Sequence, residues 1–169
     1  MLVIKMVVAL LIIVVCTLIG IDKSKKYETR EYILREAVFL FRGIGSEIKY
    51  TLSTLPNAIE STRINMKTIL RDVMGAVSTE LLECNSSNEK IAKEISKLNE
   101  LSPYDKQIII NGIVELGKTD IEGQMGIINM TCNSLESQLE ESIESKRKNV
   151  KVFRTVGIAM GLIISIVFI

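Results

Sequence analysis

Residues 112–119 read Gly112-Ile113-Val114-Glu115-Leu116-Gly117-Lys118-Thr119, GIVELGKT, and fill every fixed position of the phosphate-loop pattern G-x-x-x-x-G-K-[ST]. How this stretch is read decides the fold. A phosphate loop joins a buried strand to a helix, turns its backbone N–H groups onto phosphates, and belongs to a chain of alternating strands and helices. The competing reading is two helices meeting at a turn. Just upstream, Ser102-Pro103-Tyr104-Asp105 carries a helix start: Ser at the N-cap, Pro in the first turn, and Asp three residues after the Ser. Ile109, Gly112/Ile113 and Leu116 then recur at helical spacing, so the helix begun at Pro103 runs to about Leu116, through the would-be loop. Gly117 reads as a left-handed helix stop. Thr119 reads as the cap of the next helix, with Glu122 completing a Thr-x-x-Glu capping box, and Lys118 becomes a solvated turn residue. Gln107 to Ile110 mimics a strand, but no apolar strand ending in a magnesium-binding Asp follows. Without that context the motif does not support a nucleotide hydrolase.

The same helical rhythm extends in both directions. From Thr29 to Tyr50 the apolar residues Ile33, Leu34, Ala37, Leu40, Phe41, Ile44 and Ile48 form a wide stripe. Thr54-Leu55-Pro56 opens a short second helix, with Thr54 as N-cap. Met66 to Glu83 repeats the rhythm until Cys84-Asn85-Ser86-Ser87-Asn88 breaks it, and Glu89 to Leu101 resumes it. The last and longest helix places Ile121, Met125, Ile128, Cys132, Leu135, Leu139 and Ile143 on one seam. That seam packs either inside the chain's own bundle or against a second chain.

Composition narrows the function. The chain is 47% hydrophobic and 24% charged, a combination that implies segregation along its length. A net charge of +1 gives no electrostatic hold on a polyanion, and with 5% aromatics and no Trp no base-stacking platform is expected. The absence of His removes the commonest general base and metal ligand. Cys16, Cys84 and Cys132 have no zinc or disulfide spacing. No catalytic group, cofactor, metal, nucleic acid or small-molecule substrate is therefore expected.

The apolar residues concentrate at the two ends. Met6 to Ile21 is uncharged and, with the preceding residues, approaches the ~20 residues that span a bilayer. It ends in Gly20-Ile21-Asp22-Lys23 with no small-x-small cleavage site, so it reads as a retained anchor and not a signal peptide. Val152 to Ile169 has no polar face from Val156 on, and Arg154 can snorkel to the headgroups. Lys23, Lys25, Lys26 and Arg30 follow the first apolar run; Lys146, Arg147, Lys148, Lys151 and Arg154 flank the second; Lys5 alone lies outside. These cations place the middle in the cytoplasm. The expected organisation is a membrane helix over 1–22, a cytoplasmic all-α bundle of about six antiparallel helices over 27–150, and a second membrane helix over 152–169.

Two stretches carry a family resemblance. Glu47-Ile48-Lys49-Tyr50 with Leu55 and Ala58 is similar to E-I-x-Y-x4-L-x2-A, and Leu116-Gly117-x-x-Asp120-x3-Gln124 to L-G-x-x-D-x3-Q, of the stage III sporulation protein AB family of endospore-forming bacteria. The layout of two apolar ends around a helical middle, with Gly157 and Gly161-Leu162 in the last segment, matches as well. Thr54 stands where the family usually has Pro, with Pro56 two residues later, and Lys118 is a residue the family pattern does not ask for. The resemblance implies a non-enzymatic membrane subunit of the mother-cell machinery around the forespore, whose helical domain is similar to that of the F-type platform protein of type II secretion. It implies partners among the stage III sporulation proteins, including a cytoplasmic ATPase that would hydrolyse the nucleotide. Glu47, Tyr50, Leu55, Ala58, Leu116, Gly117, Asp120 and Gln124 are the candidate interaction or structural residues, with capping and interhelix hydrogen bonds as the plain physical role of Asp120 and Gln124. The alternative, a membrane-anchored coiled-coil scaffold or signalling adaptor forming a homo-oligomer, rests on the Ile121–Ile143 seam.

Overall fold

The computed structural model describes residues 27–83, 87–116 and 118–168, with side chains through residue 148 and at residue 155. The expected first membrane helix, the Cys84 turn and the Gly117 helix stop lie outside the described residues. Among those described there are six helices and no strand: α1 (27–46, extended by a π-helical turn over Glu47–Thr51), α2 (Leu55–Arg63), α3 (Leu70–Leu82), α4 (Asn88–Ser96), α5 (Pro103–Glu115) and α6 (Ile121–Phe168). No helix among the described residues is long and apolar enough to cross a membrane. Of the expected second span, the helical backbone over 152–168 is described, with Thr155 as its one described side chain. The chain divides into two compact units, Arg30–Glu140, and Met1–Thr29 with Glu141–Ile169.

The unit Arg30–Glu140 holds one apolar core. Ile33, Leu34, Leu40, Phe41 and Ile44 of α1 are fully buried, together with Ile59, Leu70, Met74, Ile95 and Ile109 of the helices that follow. GIVELGKT lies where helical periodicity puts it: Gly112 to Glu115 end α5, Ile113 and Leu116 are core residues, and Gln107 to Ile110 are helical. The central members of the α6 seam, Ile128, Cys132 and Leu135, belong to this same core, with Met125 and Leu139 packed against it. Ile121 and Ile143, at the two ends of the seam, are exposed.

Helix boundaries follow local chemistry where local chemistry suffices. Ser102 and Asp105 form the full capping box: the Asp105 N–H donates to Ser102 Oγ at 3.1 Å and the Ser102 N–H donates to Asp105 Oδ2 at 2.9 Å. Ser87 caps α4, accepting from the Lys90 N–H at 3.3 Å. Thr54 is extended and precedes α2 with Pro56 in the first turn, as Thr54-Leu55-Pro56 predicts, although the Thr54 side chain makes no cap hydrogen bond.

Three boundaries differ from the periodicity. Helix α3 starts at Leu70, not Met66, because Glu36 of α1 holds the preceding turn. The Glu36 carboxylate accepts from the Lys67 N–H at 2.7 Å, the Thr68 N–H at 3.1 Å and Thr68 Oγ1 at 2.6 Å. A carboxylate from another helix thus does what a local cap would do. Helix α4 stops at Ser96; Leu98 and Leu101 reach the core from the turn beyond it, and Lys106 Nζ donates to the Ser96 carbonyl at 2.9 Å. Helix α6 is capped one residue later than expected: Asp120 Oδ1, not Thr119, accepts from the Gly123 N–H at 3.0 Å. Asp ranks above Thr as an N-cap, and the shift puts Gly123 instead of Glu122 three residues after the cap, so the Thr-x-x-Glu box does not form.

Arg30, counted from sequence among the cations flanking the first apolar run, is committed to the bundle. Its Nε donates to Asp105 Oδ2 at 2.8 Å, and its Nη2 donates to Asp105 Oδ1 at 3.0 Å and Gln138 Oε1 at 3.2 Å. One guanidinium therefore ties α1 to α5 and α6.

Candidate interaction site at the 47–58 and 118–124 turns

The C-terminal end of α1 is set by Glu47. The π-helical turn lets the Leu52 N–H and, at 3.4 Å, the Ser53 N–H donate back to the Glu47 carbonyl. Closing the turn this way puts Leu52 in the left-handed region at φ 53°, where Gly is the usual occupant. The Glu47 side chain then ties this end down: its carboxylate accepts from Thr51 Oγ1 at 2.9 Å, Ser53 Oγ at 3.3 Å and, across to α2, Ser61 Oγ at 3.1 Å. These hydroxyls, Thr51 first and Ser61 next, hold the Glu47 carboxyl below its ordinary value. The contribution of Glu47 to stability is therefore full above pH 4.5, its ordinary value, and fades as the pH falls through the lowered folded value. Thermal unfolding followed through that acid range is expected to show a shallower loss of stability in Glu47→Gln than in the parent.

The second turn is set by Asp120 and Gln124. Besides the Asp120 cap, Gln124 Nε2 donates to the Thr119 carbonyl at 2.9 Å. The Asp-x3-Gln spacing thus pins the loop before α6 from both sides of its first turn. Gln124 bonds its own loop and not a neighbouring helix, which differs from the interhelix role expected for it.

The two turns meet. A groove of about 380 Å³ is lined by Ile48, Leu52, Ser53, Thr54 and Leu55 on one side and by Ile121 and Gln124 on the other. Of the candidate residues, Leu55 and Gln124 line this groove, while Glu47 and Asp120 shape its two walls. Tyr50 is 75% exposed and lines a neighbouring groove between α1 and α6. Ala58 and Leu116 are core residues. Gly117 lies outside the described residues. Leu52, and Ile121 of the α6 seam, are 72% and 43% exposed and give the groove its apolar edge. No local signal marks Leu52, because the left-handed backbone there comes without a Gly.

An exposed Leu in a left-handed backbone costs about 1 kcal/mol that packing does not return. Leu52→Gly is therefore expected to raise the stability of the chain by about 0.5–1 kcal/mol in denaturant titrations. A loss of stability would mean that the Leu52 side chain is held by contacts of its own.

The polar groups that shape the groove include hydroxyls, amides and two carboxylates, Glu47 engaged by hydroxyls and Asp120 by the Gly123 N–H. The Cys132 thiol is buried, and burial pushes its pKa up, away from the thiolate. Among the described residues no cluster of His, Cys, Asp and Glu is arranged to hold a metal ion.

A family model described as Stage III sporulation protein AB matches residues 5–169 of the chain. The description names a stage of sporulation and no reaction. No curated protein and no solved structure matches the chain.

Proposed function

The chain belongs to the stage III sporulation protein AB family, and from that premise we propose that it is a non-enzymatic membrane platform subunit of the channel assembled between mother cell and forespore. In this reading the apolar runs over 1–22 and 152–169 anchor the chain in the mother-cell membrane, and the helical middle faces the cytoplasm. The helical domain acts as the F-type platform of type II secretion does, coupling a cytoplasmic ATPase to the assembly across the envelope. The observation that carries the reading is the meeting of the two family-pattern stretches in one groove, with Leu52, Leu55, Ile121 and Gln124 presented to a partner and no catalytic group beside them.

The test is affinity isolation of the full chain from sporulating cells in mild detergent. A cytoplasmic ATPase and other stage III proteins are expected to co-purify, and a Leu52→Asp/Ile121→Asp variant is expected to lose them while keeping its membrane fraction. Recovery of the chain as a self-associated coiled coil with no ATPase would sink the platform reading and favour the scaffold. Normal development past engulfment after disruption of the gene would sink both.

A further inference from the structure

Helix α1 has a second surface that the groove does not use. Its buried residues leave one stripe facing solvent, on which aromatic and cationic side chains alternate at helical spacing: Tyr32, Arg35, Phe39, Arg42, Lys49 and Tyr50. Tyr32, Phe39 and Tyr50 are 57%, 47% and 75% exposed, and the side chains of Arg35 and Arg42 are 59% and 66% exposed. Single exposed apolar residues need no account, but large aromatics in register with Arg on one helix face have the composition of binding hot spots.

Beside the C-terminal half of this stripe, α1 and α6 leave a groove of about 330 Å³. Its floor is apolar, built by Gly45, Met125 and Ile128. Gly45 lets α6 pack close against α1 beneath the groove: a Cβ there would lie 3.3 Å from Ile128 Cδ1. Arg42 and Lys49 stand on one rim. Arg42 is held by Glu136 in an exposed pair, which a competing carboxylate displaces at little cost. The Lys49 ammonium lies over the Tyr50 ring, 5.4 Å from its centroid.

We propose that this α1 stripe and its groove dock an acidic amphipathic helix of a protein partner. An apolar side chain of that helix enters the groove over Gly45 and Ile128, carboxylates about one turn to either side meet Lys49 and Arg42, and one about three turns away meets Arg35. Charge favours this occupant: the charged side chains on the stripe, Arg35, Arg42 and Lys49, are cations recurring every seven residues, and Glu31 and Glu136 meet Arg35 and Arg42 only in surface pairs, so Glu or Asp recurring every seven residues on a docked helix would face them. An anionic bilayer offers the same charge but no side chain to fill a recess, so the concave floor selects a peptide. The inference goes beyond the platform role and does not depend on it, since an acidic helix of any partner satisfies it.

The test uses the full chain in the cells that make it, with a photo-crosslinking benzoylphenylalanine in place of Phe39 or of Ser46, and at Lys93 on α4 as the control position. Crosslinked peptides are mapped by mass spectrometry. Adducts at 39 and 46 are expected in a segment of another protein where acids recur about every seven residues beside apolar positions. Their yield is expected to fall about tenfold in Arg42→Glu/Lys49→Glu, and less steeply in Arg42→Gln/Lys49→Gln. Both pairs change solvated side chains, and unchanged thermal melting shows that the fold is intact. Adducts to lipid, to a second copy of this chain or to a segment without acids overturn the proposal. So does a yield no higher than at position 93, or one that either variant leaves unchanged.

Discussion

Asp105→Ala is expected to lower the unfolding free energy by about 3–5 kcal/mol, the range seen when one partner of a buried ion pair is removed. The surface ion pairs of Arg or Lys with Glu among the described residues would each give about 1 kcal/mol or less, so burial sets this one apart. The Asp105 side chain is 0% exposed and that of Arg30 is 15% exposed. The carboxylate accepts two bonds from the guanidinium and one from the Ser102 N–H, so its loss leaves a largely buried cation and a Ser102 N–H without its acceptor, while Ser102 Oγ still caps the helix. Asp105→Asn keeps an acceptor for the Ser102 N–H and loses the charge, and is expected to fall between the parent and Asp105→Ala. Removing both charges in Arg30→Met/Asp105→Ala is expected to recover part of the loss, because the stranded cation goes with its partner. Guanidinium unfolding of the full chain in detergent measures all four proteins. A cost under about 1 kcal/mol for Asp105→Ala would show that water reaches the pair.

The second large effect separates the two readings of GIVELGKT. Gly112→Val is expected to cost about 3 kcal/mol of stability, while Lys118→Ala stays within about 0.5 kcal/mol. A Cβ on residue 112 would lie 2.8 Å from Cε1 and Cζ of Phe41 and 2.9 Å from Cγ2 of Thr131. Phe41 is fully buried, so its ring has nowhere to go. Helix propensity opposes this by about 1 kcal/mol for Gly112→Ala, which is why Ala is expected to cost less than Val. A phosphate loop would reverse the ranking: its first Gly permits a turn and its Lys binds the ligand. Here the first Gly lets α5 approach α1 and α6, and Lys118 lies in an exposed turn. Denaturant midpoints for the two variants, with nucleotide titrated into the parent and Lys118→Ala, decide between them.

The helices were legible because each rests on neighbours in the chain. The stripe through Ile33, Leu34, Phe41 and Ile44, the Ser102–Asp105 box and the α6 seam all involve residues within a turn or two of one another. The candidate site was legible in part. Its two stretches could be marked by their resemblance to a family pattern, but periodicity gives no sign that they share a groove. The Thr119 box failed for a local reason: Asp120 is the stronger cap and lies next to it.

The sequence by itself therefore determined an all-helical chain, most of its helix starts, its core stripes and its family, since these depend on spacing within a segment. Only the tertiary structure decided why Gly112 is glycine, why α3 waits for Leu70, where Arg30 spends its charge and how Leu52 comes to face Gln124. Those features join residues that the chain holds far apart: 31 positions from Glu36 to Lys67, 75 from Arg30 to Asp105 and 108 from Arg30 to Gln138. Hydrogen bonds and steric contacts act over a few ångströms of space whatever the separation in sequence, so they exist only once the core has brought the helices together.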